Sequence, residues 1–350
     1  MGSCGVGPMV YSVATKGARD ASVGAARGRG QHLRIGMIGC GDWGRNHARV
    51  LSEFGVLAAV ADENPERRAA AEAQFGVPST DLEGLIADPA IDGVVLALPP
   101  TLHPDVALKV IAAGKHLLVE KPMAMTAARA AEIVAAAEAA GVVAMTGHIL
   151  RFHPGFEALE AAVKAGELGA IRYVHSTRLG LGKFFAETDV MWDIAPHDLS
   201  LLLAIVGETP VEGHLEGVSG ITDVPDFAHI HLTFPSGARS HTFVSRLSPS
   251  RERRFTVIGD KAMAVLDDIE PPETKLAIYR HKVWKESGGV KFESAEPDYR
   301  AFGDAQPLTA ELEHFLGAIR SGHTPRSSVR EGLDVIKALE LSASGAKAVA

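Results

Sequence analysis

The chain has 350 residues, of which 46% are hydrophobic and 22% are charged, and its formal net charge is −8. These values are typical of a globular protein with two domains, and the negative charge argues against nucleic acid as the main partner. No apolar run reaches the roughly 18 residues that a membrane span requires. The two cysteines, Cys4 and Cys40, are too few for a disulfide framework. Residues 1–32 lack the apolar core of a signal peptide, so we expect a flexible tail and a cytoplasmic location.

Residues 33–150 alternate short apolar runs with helical segments, which predicts a doubly wound parallel sheet. The runs are apolar throughout, as in strands buried on both faces. Cap residues mark two helices, because Asn64 begins one that stops before Gly76 and Thr126 begins one that ends at Gly141. Strands are predicted at residues 33–38, 56–61, 91–98, 116–119 and 142–146.

The first predicted strand leads into the pattern Gly39-x-Gly41-x-x-Gly44, with Asp42 and Trp43 between the last two glycines. In a dinucleotide site the first glycine permits a tight turn and the second lets the backbone approach a pyrophosphate. The third lets the helix pack closely on the strand. The position of this pattern between a strand and a helix predicts a cofactor site.

Asp62 follows the second predicted strand, where a carboxylate can accept hydrogen bonds from the ribose hydroxyls of the cofactor. The same carboxylate would repel a 2′-phosphate, which favours NAD over NADP. A turn aspartate that caps the next helix is the alternative. Arg67 and Arg68 can bind a phosphate, so NADP stays open.

Two further segments, residues 98–103 and 119–122, lie where the third and fourth predicted strands end. This is the carboxyl edge, where open α/β sheets bind ligands. A lysine at the end of a buried strand must find a partner or face a cleft, whereas a surface lysine in a turn is the alternative. The candidate cofactor residues in these segments are Leu98, Pro99, His103, Glu120 and Lys121.

Residues 151–350 predict a second domain, built on an antiparallel sheet, that would hold the substrate. Alternating strands are predicted at residues 171–179, 211–221, 228–234, 238–246, 253–258 and 275–280. Helices are predicted at residues 156–165 and 191–206, with two closing helices at 308–319 and 330–346. Residues 282–306 are charged and contain two adjacent glycines, which indicates a long loop.

The chain resembles the glucose–fructose oxidoreductase/inositol dehydrogenase (Gfo/Idh/MocA) family over its whole length except the tail. The motifs that carry the resemblance are the glycine turn, Pro99-x-x-x-His103 and Glu120-Lys121-Pro122. The resemblance implies a Rossmann domain followed by an α/β domain whose large open antiparallel sheet covers the nicotinamide. It also implies hydride transfer between NAD(P) and a sugar-like alcohol, and a homodimer or homotetramer.

The resemblance is closest to one branch of that family, as indicated by residues 146–154, 178–182 and 191–198. The branch oxidises the 3-hydroxyl of nucleotide-linked N-acetylhexosamines or their uronic acids, and a 3-keto sugar of this kind is ready for transamination. On this basis the candidate substrate contacts are His148, Arg151, Arg178, Lys183, Asp189 and Trp192.

Asp193 and His197 are four residues apart, so on the predicted helix they share one face. The resemblance places that face against the nicotinamide, with His197 as the acid/base that takes the hydroxyl proton. Asp193 would bond the substrate hydroxyl or orient the imidazole, and Lys121 would stabilise alkoxide character. An ordinary surface pair is the alternative for Asp193 and His197.

The loop at residues 178–189 departs from that branch, in which it tends to carry Asn and Arg. Phe184, Phe185, Glu187 and Asp189 stand where a diphosphate-binding loop would favour cations. Carboxylates beside aromatic rings suit an amino sugar. We therefore formulate the hypothesis of an aminoglycoside or amino-sugar conjugate as substrate, rather than a UDP-sugar.

His229 and His231 alternate along one predicted strand and share a face, but no nearby Cys or carboxylate completes a tetrahedral set. We expect no metal site. Two other functions stay open, namely a dehydrogenase or reductase of free sugars or inositols and a non-catalytic NAD(H)-binding regulator. The presence of Lys121, Asp193 and His197 together disfavours the regulator.

Overall fold

The computed structural model describes residues 32–182, 184 and 189–344, so the predicted tail lies almost wholly outside the described residues. The first part of the fold alternates strands and helices. Its strands are β1 (Ile35–Ile38), β2 (Leu57–Ala61), β3 (Ser79–Thr80), β4 (Gly93–Leu96), β5 (His116–Glu120) and β6 (Ala144–Gly147). Its helices are α1 (Asp42–Glu53), α2 (Pro65–Phe75), α3 (Leu82–Ala87), α4 (His103–Ala112) and α5 (Ala127–Ala140).

These strands form one parallel sheet in the order β3-β2-β1-β4-β5-β6, which confirms the predicted doubly wound fold. The caps are also confirmed, because the Asn64 side chain accepts the N–H of Glu66 and Gly76 takes φ 67°. The elements β3 and α3 were not predicted, since a two-residue strand and a six-residue helix show almost no periodicity.

The second part of the fold is a large mixed sheet with helices on one face. It contains α6 (Pro154–Lys164), β7 (Ile171–Leu181), α7 (Val190–Asp193), α8 (Ala195–Val206), β8 (Glu212–Val218), β9 (Phe227–Thr233), β10 (Arg239–Ser245) and β11 (Leu247–Gly259). It continues with β12 (Met263–Asp267), β13 (Leu276–Tyr279), β14 (Lys282–Glu286), β15 (Gly289–Glu293), β16 (Asp298–Tyr299), α9 (Pro307–Ser321) and α10 (Val329–Ser344). The sheet order is β16-β13-β12-β11-β7-β10-β9-β8, and its neighbours are antiparallel except β7 and β10.

Two expectations for this part are wrong. The predicted helix at residues 191–206 breaks at Ile194 into α7 and α8, because Pro196 has no N–H to continue the hydrogen-bond ladder. The predicted loop at residues 282–306 contains the antiparallel hairpin β14–β15 and the short strand β16. The strand β12 was also missed.

The closing helices pack back onto the first sheet. Leu312 and Phe315 of α9 share a buried cluster with Leu51 of α1. Leu333 of α10 packs with the parallel sheet, whereas Leu339 of the same helix packs with the second sheet. The predicted division at residue 150 therefore separates the strands of the two sheets. The C-terminal helices α9 and α10 nevertheless return to pack on the first, parallel sheet. Among the described helices, none is long and apolar enough to cross a membrane.

Candidate active site

Two glycines of the predicted cofactor turn are required by the packing of the turn itself. Gly39 has φ +92°, and a Cβ there would lie 2.2 Å from the carbonyl oxygen of Ala97. A Cβ on Gly44 would lie 1.8 Å from the carbonyl oxygen of Gly39. Both contacts are with backbone atoms, so neither position has room for a side chain.

Gly41 differs because nothing lies within 4 Å of a Cβ built on it, so it borders open space at the start of α1. The sheet order reverses between β1 and β4, and this reversal opens the crevice in which such sheets bind ligands. An open glycine at a helix N-terminus, beside that crevice, fits the pyrophosphate of a dinucleotide.

Asp62 joins the glycine turn to the end of β2. Its carboxylate accepts the backbone N–H of Cys40 at 2.7 Å and that of Asn64 at 2.8 Å. Burial, together with the charge of Asp62, raises the pKa of the Cys40 thiol to about 11, which supports a packing role for that cysteine. Each Asp62 oxygen has a second lone pair, and its hydrogen bond to a ribose stays a prediction. Asp42 and Trp43 lie exposed in the first turn of α1.

Two side chains of α1 hold the carboxylate of Glu120 by hydrogen bonds. It accepts hydrogen bonds from the Trp43 indole, from His47 Nε2 at 2.7 Å and from the N–H of Lys121. Burial raises the pKa of Glu120, but the contacts with His47, Trp43 and Lys121 outweigh it and bring this pKa below its ordinary value. His47 was not predicted, because its only signal in the sequence is its position one turn after Gly44.

Glu311 of α9 lies in the same buried cluster as His47 and Glu120. Burial and the nearby charge of Glu120 raise the pKa of Glu311 well above its ordinary value. A neutral Glu311 lets the carboxylate of Glu120 keep its charge for His47 and Lys121. This group was also missed, because α9 reaches the site only through the tertiary fold.

His103, Leu98 and Pro99 line the end of β4. Burial lowers the pKa of His103, and its Nδ1 donates to the Pro122 carbonyl at 2.9 Å, which ties α4 to the Glu120-Lys121-Pro122 segment. Leu98 lies beside the glycine turn, with its Cδ2 3.2 Å from a Cβ built on Gly39. Pro99 is exposed at the crevice. Their contacts with a cofactor stay predictions.

Lys121 projects from the end of β5 toward α7. Its Nζ donates to the Asp193 carbonyl at 2.6 Å and to Asp193 Oδ1 at 3.2 Å. The side chain is 15% exposed. The structure thus brings two of the three predicted catalytic residues into direct contact at the carboxyl edge of the parallel sheet.

Asp193 ends α7 and His197 lies on α8, so the prediction that one continuous helix carries both residues is wrong. Among the described residues, no hydrogen bond joins Asp193 to His197, and the buried Nδ1 of His197 has no partner. Burial, followed by the positive charges of Lys121 and Arg178, lowers the pKa of His197 well below its ordinary value. A neutral imidazole beside a lysine can accept a proton from a hydroxyl group.

Two of the predicted substrate arginines already hold carboxylates of the chain. Arg178 donates to the buried Asp198 at 2.5 Å, and the backbone of β7 directs it to the same side as α8. Arg151 donates to Glu331 at 2.5 Å and to Glu160 at 3.3 Å, which joins α6 and α10. These ion pairs position the helices, and contacts of either arginine with a substrate stay predictions.

Three of the remaining predicted substrate residues, His148, Asp189 and Trp192, lie at the junction of the two sheets. His148 is buried, and burial lowers its pKa to about 3. Asp189 caps α7 by accepting a hydrogen bond from the N–H of Trp192 at 2.9 Å. The Trp192 side chain packs against the hydrophobic clusters of both the parallel sheet and the large sheet. Lys183 lies outside the described residues, as do Phe185 and Glu187.

The two parts of the chain each match a known domain. Residues 33–148 match the oxidoreductase family with an NAD-binding Rossmann fold, and residues 156–265 match the GFO/IDH/MocA C-terminal domain. The chain belongs to the Gfo/Idh/MocA family. Membership makes it an oxidoreductase whose cofactor is NAD, which confirms those two predictions.

Several members of the family resemble this chain closely. It is 34% identical over 300 residues to UDP-N-acetylglucosamine 3-dehydrogenase of Acidithiobacillus ferrooxidans, covering 84% of this chain and 90% of that one. A solved structure of that enzyme has a TM-score of 0.79 and 28% identity, over 90% and 98% of the two chains. The chain is also 27% identical to scyllo-inositol 2-dehydrogenase (NAD(+)) of Bacillus subtilis, over 84% and 88%. These similarities support a sugar dehydrogenase.

Proposed function

We propose that this protein oxidises the C3 hydroxyl of an amino-sugar-containing substrate to a 3-keto sugar with NAD, which prepares that carbon for transamination. The observation that carries the proposal is the contact of Lys121 with Asp193 at the carboxyl edge of the parallel sheet, together with a buried His197 whose pKa the charge of Lys121 helps to lower. A second family function, oxidation of a free inositol, is favoured by the similarity to scyllo-inositol 2-dehydrogenase.

The cofactor is held by the glycine turn, with Gly41 toward the pyrophosphate and Asp62 toward the adenosine ribose. When bound, NAD supplies a hydride acceptor at its nicotinamide. His197 accepts the proton of the substrate hydroxyl at its imidazole, and the ammonium of Lys121 stabilises the alkoxide that forms. Asp193 positions that ammonium through its carbonyl and its carboxylate.

The charges near His197 favour a nucleotide-linked hexosamine over a cationic aminoglycoside. Lys121, Arg178 and Arg253 each act on His197 through their positive charge. The side chain of Arg253 is 37% exposed, and its nearest carboxylate, Asp268, lies 4.0 Å away. Lys121 and Arg178 are already paired with Asp193 and Asp198, so the loosely paired Arg253 is the cation that attracts the diphosphate of a sugar nucleotide in this proposal. The aminoglycoside hypothesis depends on Asp189 and on loop residues outside the described part of the chain.

The test is NADH formation by the purified protein with three substrate classes: a UDP-N-acetylhexosamine, an aminoglycoside and an inositol. We expect the highest kcat/KM with the UDP-N-acetylhexosamine. A higher kcat/KM with the aminoglycoside would support the cationic substrate instead, and a higher value with inositol would overturn the amino-sugar proposal. The variant His197→Asn serves as control, because it should bind NADH and fail to turn over any of the three.

A further inference from the structure

A cavity of about 350 Å³ lies between α6, α8 and α10, close to the candidate active site. The buried His148 forms its inner wall. Lys164 of α6 and Glu331 of α10 stand at its rim, because their side chains are 68% and 40% exposed. A space of this size holds several water molecules, and polar and charged side chains line it. The cavity therefore connects His148 with solvent.

His148 closes the inner end of this cavity at the carboxyl edge of the parallel sheet. It directly follows Gly147, which pairs in register with Glu120 of β5, so His148 and Lys121 lie side by side at the ends of neighbouring strands. Among the described residues, neither ring nitrogen of His148 has a hydrogen-bond partner. Buried polar atoms without a partner are rare in folded proteins, so these two nitrogens point to a role in function.

One face of α8 carries His197 and also forms a wall of the cavity. His197, Ser200 and Ala204 are spaced by three and four residues, so they project from the same side of the helix. Ser200 and Ala204 both line the cavity. The short helical turn that follows His148, Ile149–Phe152, packs against α8. The cavity therefore runs along α8 toward His197, with His148 at that end.

Oxidation of an alcohol releases one proton for each hydride that passes to NAD, and neither histidine keeps that proton. Burial, and then nearby positive charges that include Lys121 and His148, lower the pKa of His197. Burial and the charge of Arg151 lower the pKa of His148 to about 3. A neutral imidazole accepts a proton at one ring nitrogen and releases a proton from the other. The two rings can therefore pass a proton on and return to their neutral form.

We propose that His148 and this cavity carry the hydroxyl proton from His197 to solvent while the substrate and the cofactor fill the crevice. The inference rests on the proposed function, in which His197 is the acid/base. Along the path only O–H and N–H bonds form and break. The proton leaves the alcohol oxygen for His197, passes through bridging water to His148 and reaches the water of the cavity. Asp334, whose pKa burial raises, exchanges it with solvent, since the carboxylates of Glu160 and Glu331 are already in ion pairs.

The test uses the substrate, among the three classes above, that gives the full-length chain its highest kcat/KM. A pH indicator in weak buffer follows proton release while absorbance follows NADH. We expect His148→Asn to lower kcat at least about tenfold and to make proton release the slow step. The solvent isotope effect in D₂O should then rise, while the effect of deuterium at the oxidised carbon should fall. Imidazole added to this variant should restore part of kcat, because it carries protons in the space that the shorter side chain leaves.

Two further variants separate the path from a structural role of His148. Ala204→Leu narrows the cavity and leaves both histidines in place, so kcat should fall with the same opposed isotope effects. His323→Asn removes an exposed histidine beyond α9 and should behave as the wild type. NADH binding by each variant confirms that it folds, and Ala204→Leu decides alone if His148→Asn does not bind.

The path is overturned if His148→Asn or Ala204→Leu folds and keeps the wild-type kcat. A lower kcat without the opposed isotope effects would assign His148 a structural role and overturn the path as well. In both cases the wild-type chain still forms NADH, so the proposed function stands. If the wild-type chain forms no NADH from any of the three substrates, the proposed function fails and the path fails with it.

Discussion

Replacing Gly41 by alanine separates cofactor binding from folding. Gly41 has φ −68°, which alanine adopts without strain, and nothing lies within 4 Å of the added Cβ. The free energy of unfolding should therefore change by no more than about 1 kcal/mol. The methyl group occupies the space that the pyrophosphate needs, so the Kd for NADH should rise at least about tenfold, which is about 1.4 kcal/mol.

Gly44→Ala is the matched variant, since its Cβ would lie 1.8 Å from the Gly39 carbonyl oxygen and 2.9 Å from Met37 Cε. Overpacking of this kind should lower the free energy of unfolding by about 1–3 kcal/mol. Urea unfolding without cofactor and NADH fluorescence titration measure the two quantities. The reasoning is refuted if Gly41→Ala binds NADH as tightly as the wild type, or if Gly44→Ala is as stable as the wild type.

Three further predictions concern the site and the core. Lys121→Met should lower kcat by about 10²–10³-fold while NADH still binds, and an unchanged kcat would remove the ammonium from the mechanism. Because burial and Lys121 lower the pKa of His197, kcat/KM should stay constant as the pH falls to about 6.5 and decline only below it. In Lys121→Met that decline should move to higher pH, since one charge that opposes protonation is gone. Arg246→Ala leaves the buried Asp226 without its 2.8 Å ion pair, so urea unfolding should show a loss of about 3–5 kcal/mol.

The strands of the parallel sheet could be predicted because each is buried on both faces and is apolar over its whole length. The break at Ile194 was missed because the apolar pattern continues through it, and only Pro196 marks the interruption. The hairpin β14–β15 was missed because it is exposed on both faces, so it lacks the alternation by which a half-buried strand is recognised.

For the candidate site, the order along the chain sufficed to predict that Lys121 lies at the edge of the sheet. It could not reveal that His47 and Glu311 surround Glu120, since those contacts join α1, β5 and α9 across long stretches of sequence. A row of histidines on the large sheet shows the same limit. His229 and His231 are visible in the sequence, whereas His241 joins them only through the register of β9 and β10.

The most direct test of the central claim follows the hydride itself. A UDP-N-acetylhexosamine deuterated at C3 is incubated with the protein and NAD, and the reduced cofactor is analysed by mass spectrometry. Our account predicts that one deuterium appears in the NADH, with a lower rate than for the unlabelled sugar. NADH that forms without deuterium would show that another carbon is oxidised, and the absence of NADH would contradict the proposed substrate.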